Sequence, residues 1–362
     1  MEEKIGIGIV GTGGIGKIHT WALMRNKNCH VIAACSVNED ELEQFKQGIW
    51  EKTPYTGEKI KPKYPVENVY TNYKKLIQNK KVDAVFVCVP NALHFEISSE
   101  VLKNGKHCFV EKPMCISTKQ AKELIDISEK NNLTLQVGHV WRFHKDIQKA
   151  KELISKGLIG DIVKVKAYSI HVLWQPKGWF TKPELSGGGS LVDMGVHAID
   201  TVRFLLNGVN YNSVYADIKT RYGNYNVDDT DILFLKTQND IPVLIESGWS
   251  QVYADGPEAS VQIFGTKGYI RVFPTQIKIF LGNRNNYGTF LPEETESHDT
   301  LMTFTRQVDN FVDSVRGKES PLCSGKDGAH VVEVCEAAYS SSEKGEVVRI
   351  PCSQSDCERK RY

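Results

Sequence analysis

Ile5-Gly6-Ile7-Gly8-Ile9-Val10-Gly11-Thr12-Gly13-Gly14-Ile15-Gly16 is the stretch that decides the fold. Residues 4–10 form an apolar run, which reads as a short buried strand. It stops at glycines placed at Gly11, Gly13 and Gly16, and residues 15–26 then take helical spacing. Each glycine has a task in such a loop. One makes the tight turn, one lets the backbone approach a pyrophosphate, and one lets helix and strand pack closely. The helix start then presents unpaired N–H groups and the positive end of its dipole to the phosphates. A bare glycine pattern also suits a turn with no ligand. Its place between a strand and a helix favours dinucleotide binding.

Working outward, the strand–helix rhythm continues. Strands are predicted at residues 30–37, 84–89, 107–110 and 133–137, with helices at 39–49, 97–104 and 118–130. Gly105 is the expected cap of the second of these helices. This alternation predicts a parallel sheet covered by helices on both faces. Residues 50–69 break it with Pro54, Pro62 and Pro65 and read as a surface excursion, or alternatively as a lid or subunit contact.

After about residue 145 the pattern changes. Strands are predicted at 162–170, 213–220, 232–236, 243–249, 261–264, 269–273 and 276–280, with Gly265-Thr266-Lys267-Gly268 as a hairpin turn. Strands without intervening helices favour an antiparallel sheet. Helices near 301–315 and 328–343 close the chain. The expected class is therefore α/β. A dinucleotide-binding domain spans residues 1–140. A second α/β domain with a large open, mostly antiparallel sheet spans 141–362 and serves substrate binding and oligomerisation.

A formal net charge of +1 weighs against nucleic acid as a partner. No run approaches the roughly 18 apolar residues of a membrane span. The first residues are acidic and then enter a strand, without a secretory pattern. Nine cysteines form no C-x-x-C pair. Cys35, Cys88 and Cys108 sit in apolar runs and read as reduced core thiols of a cytoplasmic protein. Cys352 and Cys357, in a polar tail, are weak candidates for metal binding or oxidation. No metal site is expected, because the histidines do not cluster with cysteines or carboxylates at ligand spacing.

The end of the second strand should select the dinucleotide. An acidic residue there would accept hydrogen bonds from the ribose hydroxyls. Here stand Ser36, Val37 and Asn38. Ser36 removes the charge that repels a 2′-phosphate, but no basic residue follows at once. Glu39 and Asp40 come next and would disfavour the phosphate if they point inward. NAD is expected, with NADP possible.

Three further motifs carry a resemblance. They are Glu111-Lys112-Pro113 after the strand at 107–110, the run Gly187-Gly188-Gly189-Ser190-Leu191-Val192-Asp193-Met194-Gly195-Val196-His197, and Pro90-Asn91 with His94. With the glycine loop, they make the chain resemble the glucose–fructose oxidoreductase / inositol dehydrogenase / rhizopine catabolism family, Gfo/Idh/MocA, over nearly its whole length. The resemblance implies a Rossmann domain followed by an open-faced α/β domain whose sheet often forms an oligomer contact. It also implies that Lys112, Asp193 and His197 meet beside the nicotinamide.

Physical chemistry is consistent with those roles. Asp193 and His197 are four apart, which on a helix stacks them one turn apart on one face. A carboxylate near an imidazole raises its proton affinity and orients its ring. Such a histidine takes a hydroxyl proton as hydride leaves the same carbon. Lys112, held by Pro113, is suited to stabilise charge on the substrate oxygen. Taken singly, a capping Asp193, a core His197 and a solvated Lys112 are the blander readings.

Expected cofactor contacts are Gly11, Gly13, Gly14, Ile15, Gly16, Ser36, Asn38, Pro90, Asn91, His94, Glu111, Lys112 and Arg142. Expected substrate contacts are Lys112, His139, Trp141, Trp174, Trp179, Asp193 and His197. Arg142 fits a ligand contact or a structural salt bridge. Trp174, Trp179 and Phe180 fit a wall that stacks on sugar rings or plain packing, and His19 reads as structural. The expected activity is hydride transfer between NAD(P) and a hydroxyl-bearing carbon of a sugar, polyol or glycoside. The rival within the family is oxidation at C3 of a glycoside, with a cofactor held tightly and recycled. A redox-silent sensor sits poorly with an intact Lys112, Asp193 and His197.

Overall fold

The structure is a computed structural model that describes residues 3–52, 57–172, 174–251, 258–282, 286–291, 295–297 and 299–351. Cys352 and Cys357 lie outside the described residues. The chain divides into two compact units. One comprises Met1–Phe143 with Asp299–Ala329, the other His144–His298 with His330–Tyr362. The first break falls a few residues past the sequence-based boundary at 140/141. The return of Asp299–Ala329 to the first unit has no counterpart in the sequence reading.

The first unit holds strands β1 (Ile5–Val10), β2 (Cys29–Cys35), β3 (Asn68–Tyr70), β4 (Ala84–Val87), β5 (His107–Val110) and β6 (Leu135–Val137). All pair in parallel, in the order β3-β2-β1-β4-β5-β6. The order reverses between β1 and β4, and ligands of such sheets bind beyond the strand ends at that reversal. β4 is buried at every position, as a strand covered on both faces must be. Phe86 of β4 stacks on Phe109 of β5 at 4.3 Å, and Phe311 meets both edge-on. Each such ring contributes about 1.5–3 kcal/mol by burial.

The helices of this unit are α1 (Gly14–Leu23), α2 (Glu39–Gln47), α3 (Tyr73–Ile77), α4 (His94–Lys103) and α5 (Thr118–Lys130). Asn38 caps α2 by accepting from the Glu41 N–H, and Ser117 caps α5 by accepting from that of Gln120. The excursion at 50–69 is more than surface. Trp50, Ile60 and Val66 are buried, and its end enters the sheet as β3. A three-residue strand beside prolines has no readable period; the edge of β2 supplies its order.

The second unit begins with α6 (Lys145–Ser155) and carries a nine-stranded sheet. Its strands are β7 (Ile162–Ile170), β8 (Tyr211–Lys219), β9 (Thr230–Thr237), β10 (Pro242–Gly248), β11 (Ala259–Gly265), β12 (Gly268–Val272), β13 (Gln276–Phe280), β14 (Tyr287–Phe290) and β15 (Val348–Arg349). The order is β14-β13-β12-β11-β7-β10-β9-β8-β15. Every pair is antiparallel except β7 with β10, so the sheet is mixed at its centre. A short helix α7 (Pro183–Ser186) and α8 (Val196–Leu205) follow β7 in the chain, and α8 packs on β7, β10 and β11. α9 (Met302–Val315) belongs to the first unit, and α10 (Gly325–Lys344) runs from one unit's residues into the other's. The other face of the sheet exposes Tyr215, Ile232 and Phe234, with Tyr215 directly opposite Phe234.

Among the described residues no helix is long and apolar enough to cross a membrane. The seven described cysteines are free and buried. Burial pushes the Cys35 thiol up to about 11 and those of Cys29 and Cys108 to about 12, which keeps them unreactive.

Candidate active site

The glycine loop forms where β1 ends against β4. Gly11 takes φ +97°, and a Cβ there would lie 2.1 Å from the Cys88 carbonyl oxygen, so only glycine fits. A Cβ on Gly13, in contrast, would meet nothing within 4 Å. That open space lies over the start of α1, where Gly13 makes no side-chain cap bond. The first N–H groups of α1, which have no partner within the helix, lie beside this open space. Lys52 adds a cation, its Nζ 3.3 Å from a Cβ built on Gly14. Backbone donors, a dipole end and an ammonium fit the pyrophosphate of a dinucleotide. Nothing in the sequence tied Lys52 to this loop, because it comes from the excursion.

The β2 end is arranged differently from the sequence expectation. Ser36 Oγ accepts from the Asn38 N–H at 3.1 Å. The Asn38 side-chain oxygen caps α2 by accepting from the Glu41 N–H. Glu39 and Asp40 are exposed. Glu41 is the acid that turns inward: Thr12 Oγ1 donates to its Oε2 at 2.5 Å, and Ser36 Oγ lies 3.4 Å from the same oxygen.

At the ends of β4 and β5, two of the expected contact residues, His94 and Glu111, are engaged within the protein. His94 is fully buried. Its Nδ1 faces the Pro113 carbonyl at 2.7 Å and its Nε2 the Val89 carbonyl at 2.8 Å. Burial lowers its pKa, and the two carbonyls, which favour a charged ring, do not overcome that. His94 thus ties the loop that carries Lys112 to the end of β4. Glu111 is also buried. It pairs with His19 at 2.6 Å and accepts the Lys112 N–H at 3.0 Å. Burial alone would raise its carboxyl pKa, but the His19 hydrogen bond and the nearby charges of His19 and Lys112 bring it below the usual range. His19 is structural, as the sequence suggested, with its ring edge-on to Phe109.

Arg142 is buried as well, donating to the Leu322 carbonyl at 2.7 Å and pairing with Asp327 at 3.3 Å. Of its two sequence readings, the structural salt bridge is the one observed. His139 and Trp141 are buried, as is Asn91, while Pro90 is half-buried. Lys112 itself is half-buried at the end of β5, before a cis Lys112–Pro113 bond.

In the second unit the glycine run is held by one carboxylate. Asp228 accepts the Gly189 N–H on Oδ1 and the Leu191 N–H on Oδ2, both at 2.8 Å, and Tyr339 donates to Oδ1 at 2.7 Å. A Cβ on Gly189 would lie 1.8 Å from the Asp228 carbonyl oxygen, so backbone meets backbone there. Asp231 sits behind, accepting from Ser190 and Ser247. Burial, then the neighbouring Asp228 charge, pushes its carboxyl well above the usual range.

Residues Leu191–Gly195 wind as a π-helical turn before α8 begins. The α-helical stacking expected for Asp193 and His197 is therefore not the local geometry. Asp193 Oδ2 instead accepts from Trp249 Nε1 at 3.0 Å and lies 3.6 Å from His171 Nε2. His171 Nδ1 is 3.2 Å from Glu258 Oε2. His197 lies on α8, 9% exposed. Trp174 packs against His171, Trp249 and Phe180 with ring centroids at 4.8, 5.4 and 5.1 Å, and Trp179 stacks on Phe180 at 3.9 Å. Trp174, Phe180 and Tyr225 are only partly buried against Met194, Val227 and Trp249. They belong to a packed cluster and still present aromatic surface.

Sequence reasoning missed His171, Trp249, Glu258 and Asp228. His171 and Trp249 each follow a strand, β7 and β10, and these two strands lie side by side in parallel. No local pattern announces that pairing. Among the described residues no group of three His, Cys, Asp or Glu side chains is placed to hold a metal.

Residues 5–139 match the model of an oxidoreductase family with an NAD-binding Rossmann fold, and residues 147–271 that of the GFO/IDH/MocA C-terminal domain. A myo-inositol 2-dehydrogenase of Thermotoga maritima is 26% identical over 95% of this chain and 98% of its own. A D-glucoside 3-dehydrogenase of Escherichia coli is 24% identical over 96% and 98%. The structure of a levoglucosan dehydrogenase in complex with NADH and levoglucosan superposes with a TM-score of 0.83 at 20% identity, covering 96% of this chain and all of that one.

Proposed function

The chain belongs to the Gfo/Idh/MocA family of NAD-binding oxidoreductases, and from that premise we propose that it oxidises a hydroxyl of a cyclic carbohydrate, polyol or glycoside. The observation that carries the substrate class is the array around Asp193. A carboxylate held by the Trp249 indole N–H, and a His171–Glu258 pair, lie beside partly exposed aromatic rings. Hydroxyl-rich rings need this combination: polar groups for the hydroxyls and flat apolar faces for the C–H side.

NAD, when bound by the glycine loop, supplies the hydride acceptor. We assign the proton to His197, as general base, and the substrate oxygen to the Lys112 ammonium, which offsets negative charge as it develops. Asp193 positions rather than reacts, since Trp249 and His171 engage its carboxylate. His94 and Glu111 brace the Lys112 loop from behind.

Oxidation at C3 of a glycoside is a second reading, favoured by the breadth of aromatic surface from Trp174 to Trp179, which suits an aglycone as well as a sugar ring. We further propose a cytoplasmic homo-oligomer. The buried free thiols support a reducing compartment, and the exposed row Tyr215, Phe234 and Ile232 supports a sheet-to-sheet contact.

The test is turnover of NAD to NADH, read by absorbance, over a panel of inositols, free sugars and glycosides, with the oxidised carbon located by NMR. Oxidation of at least one cyclic member is expected. Activity confined to open-chain or non-carbohydrate alcohols would overturn the substrate class. A ketone at a carbon other than C3 of every glycoside turned over would remove the second reading.

A further inference from the structure

The residue at the end of β2 is the usual place for the acid that reads the adenosine ribose, and here it is Ser36. β1 and β2 end side by side, with Val10 opposite Cys35 and the Gly11 N–H donating to the Cys35 carbonyl at 2.9 Å. Thr12 and Ser36 therefore meet at one corner. Into it turns the carboxylate of Glu41, the third residue of α2. It is half-buried, 2.5 Å from Thr12 Oγ1 and 3.4 Å from Ser36 Oγ.

A glutamate at this helical position ordinarily folds back to the N–H of the capping residue. That role is already filled, because the Asn38 N–H donates to Ser36 Oγ. Glu41 thus does not close the helix end. It projects past the cap to Thr12 of the glycine loop. Both hydroxyl contacts fall on Oε2, which leaves Oε1 for a ligand. Lys17, the cation that crosses from α1 toward α2, is 3.4 Å from Gln44.

We propose that Glu41, rather than the residue at the end of β2, accepts hydrogen bonds from the adenosine ribose hydroxyls and selects NAD over NADP. A 2′-phosphate would replace a donor with an anion facing this carboxylate, losing the hydrogen bond and adding repulsion. The acid is displaced from β2 to α2, and Thr12 fixes its reach. The inference rests on dinucleotide binding by the first unit and is independent of the substrate.

The experiment is calorimetric titration of the full chain with NAD and, separately, with NADP, so it needs no turnover. The wild type should favour NAD roughly tenfold or more, the worth of one hydrogen bond to a charged group. Glu41→Gln should bring the two affinities close to parity. Ser36→Asp in the Glu41→Gln background should restore the preference by returning a carboxylate to the same hydroxyls. A wild-type preference for NADP overturns the proposal. So does an unchanged ratio in Glu41→Gln, or a ratio that stays collapsed after Ser36→Asp. If Glu41→Gln does not fold, Glu41→Asp serves instead: the shorter carboxylate should lower the ratio, and an unchanged ratio overturns the proposal. Oxidation of sugars with no effect at Glu41 would leave the proposed function standing and remove this assignment alone.

Discussion

The glycine loop packs its turn, its opening and its helix start into one short run, Gly11 to Gly16, and backbone does most of the work. Around Asp193 the opposite holds. Its partners come from His171 after β7 and Trp249 after β10, and the loop before it hangs on Asp228, between β8 and β9. The first site is a shape that the chain makes with itself locally. The second is a network of side chains that a sheet brings together. Damage should therefore differ in kind: backbone changes in the first unit should cost cofactor affinity, and side-chain changes in the second should cost turnover.

The largest expected effect is on the chemistry. His197→Ala should lower turnover by roughly 10² to 10⁴, the usual loss with a general base, while calorimetry finds NAD affinity unchanged. Near-normal turnover would return His197 to packing and leave the second unit's network without its base.

Next comes the loop itself. Gly11→Ala places a methyl 2.1 Å from the Cys88 carbonyl at a φ of +97°. Strain of about 1–3 kcal/mol at such a position corresponds to roughly a ten- to hundredfold loss of NAD affinity if it is relieved by moving the loop. An alanine variant that binds NAD normally would break the backbone half of the comparison.

Asp228→Asn sharpens the other half. The amide keeps the shape but loses the charge that faces the N–H groups of Gly189 and Leu191. Chemical denaturation should show a loss of about 1–3 kcal/mol, and kcat should fall with NAD affinity intact. Equal losses in kcat and NAD affinity would mean that the two sites are not separable in this way.

The smallest effect is a pH dependence. His94 has a folded pKa below the ordinary 6.5, with burial as the leading cause. As pH falls through 6.5, the unfolded chain takes up a proton that the folded ring refuses. Stability should be full above that point and decline below it, toward the lowered folded value. Urea unfolding at stepped pH should show this slope in the wild type and a shallower one in His94→Asn. Parallel slopes would mean that His94 does not titrate as its burial implies.

Much of the site was already legible in residue types at fixed spacing. The glycine loop, the Glu111-Lys112-Pro113 turn and the Asp193 to His197 run are each contiguous, although the helical stacking read for the last gives way to a π-helical turn. The strands at His107–Val110, Ile162–Ile170 and Gln276–Phe280, and the helix at Thr118–Lys130, fall where the pattern puts them, because a buried face imposes its period on the sequence. The same period says nothing of β3, whose three residues are strand only because β2 offers an edge.

What the sequence determined by itself is thus the glycine loop, the strand–helix alternation and the contiguous motifs that hold Lys112, Asp193 and His197, all set by neighbours within a few positions. Only the tertiary structure decided which partners within the protein each of these groups meets. Glu111, His94 and Arg142 point inward to His19, to two carbonyls and to Asp327, while Glu41, unremarkable in the sequence, reaches Thr12 and Ser36 beside the glycine loop. The reason is that a side chain's partner is fixed by sheet order and parallel pairing. β7 meets β10 across some eighty positions of chain, and no local preference encodes a contact at that separation.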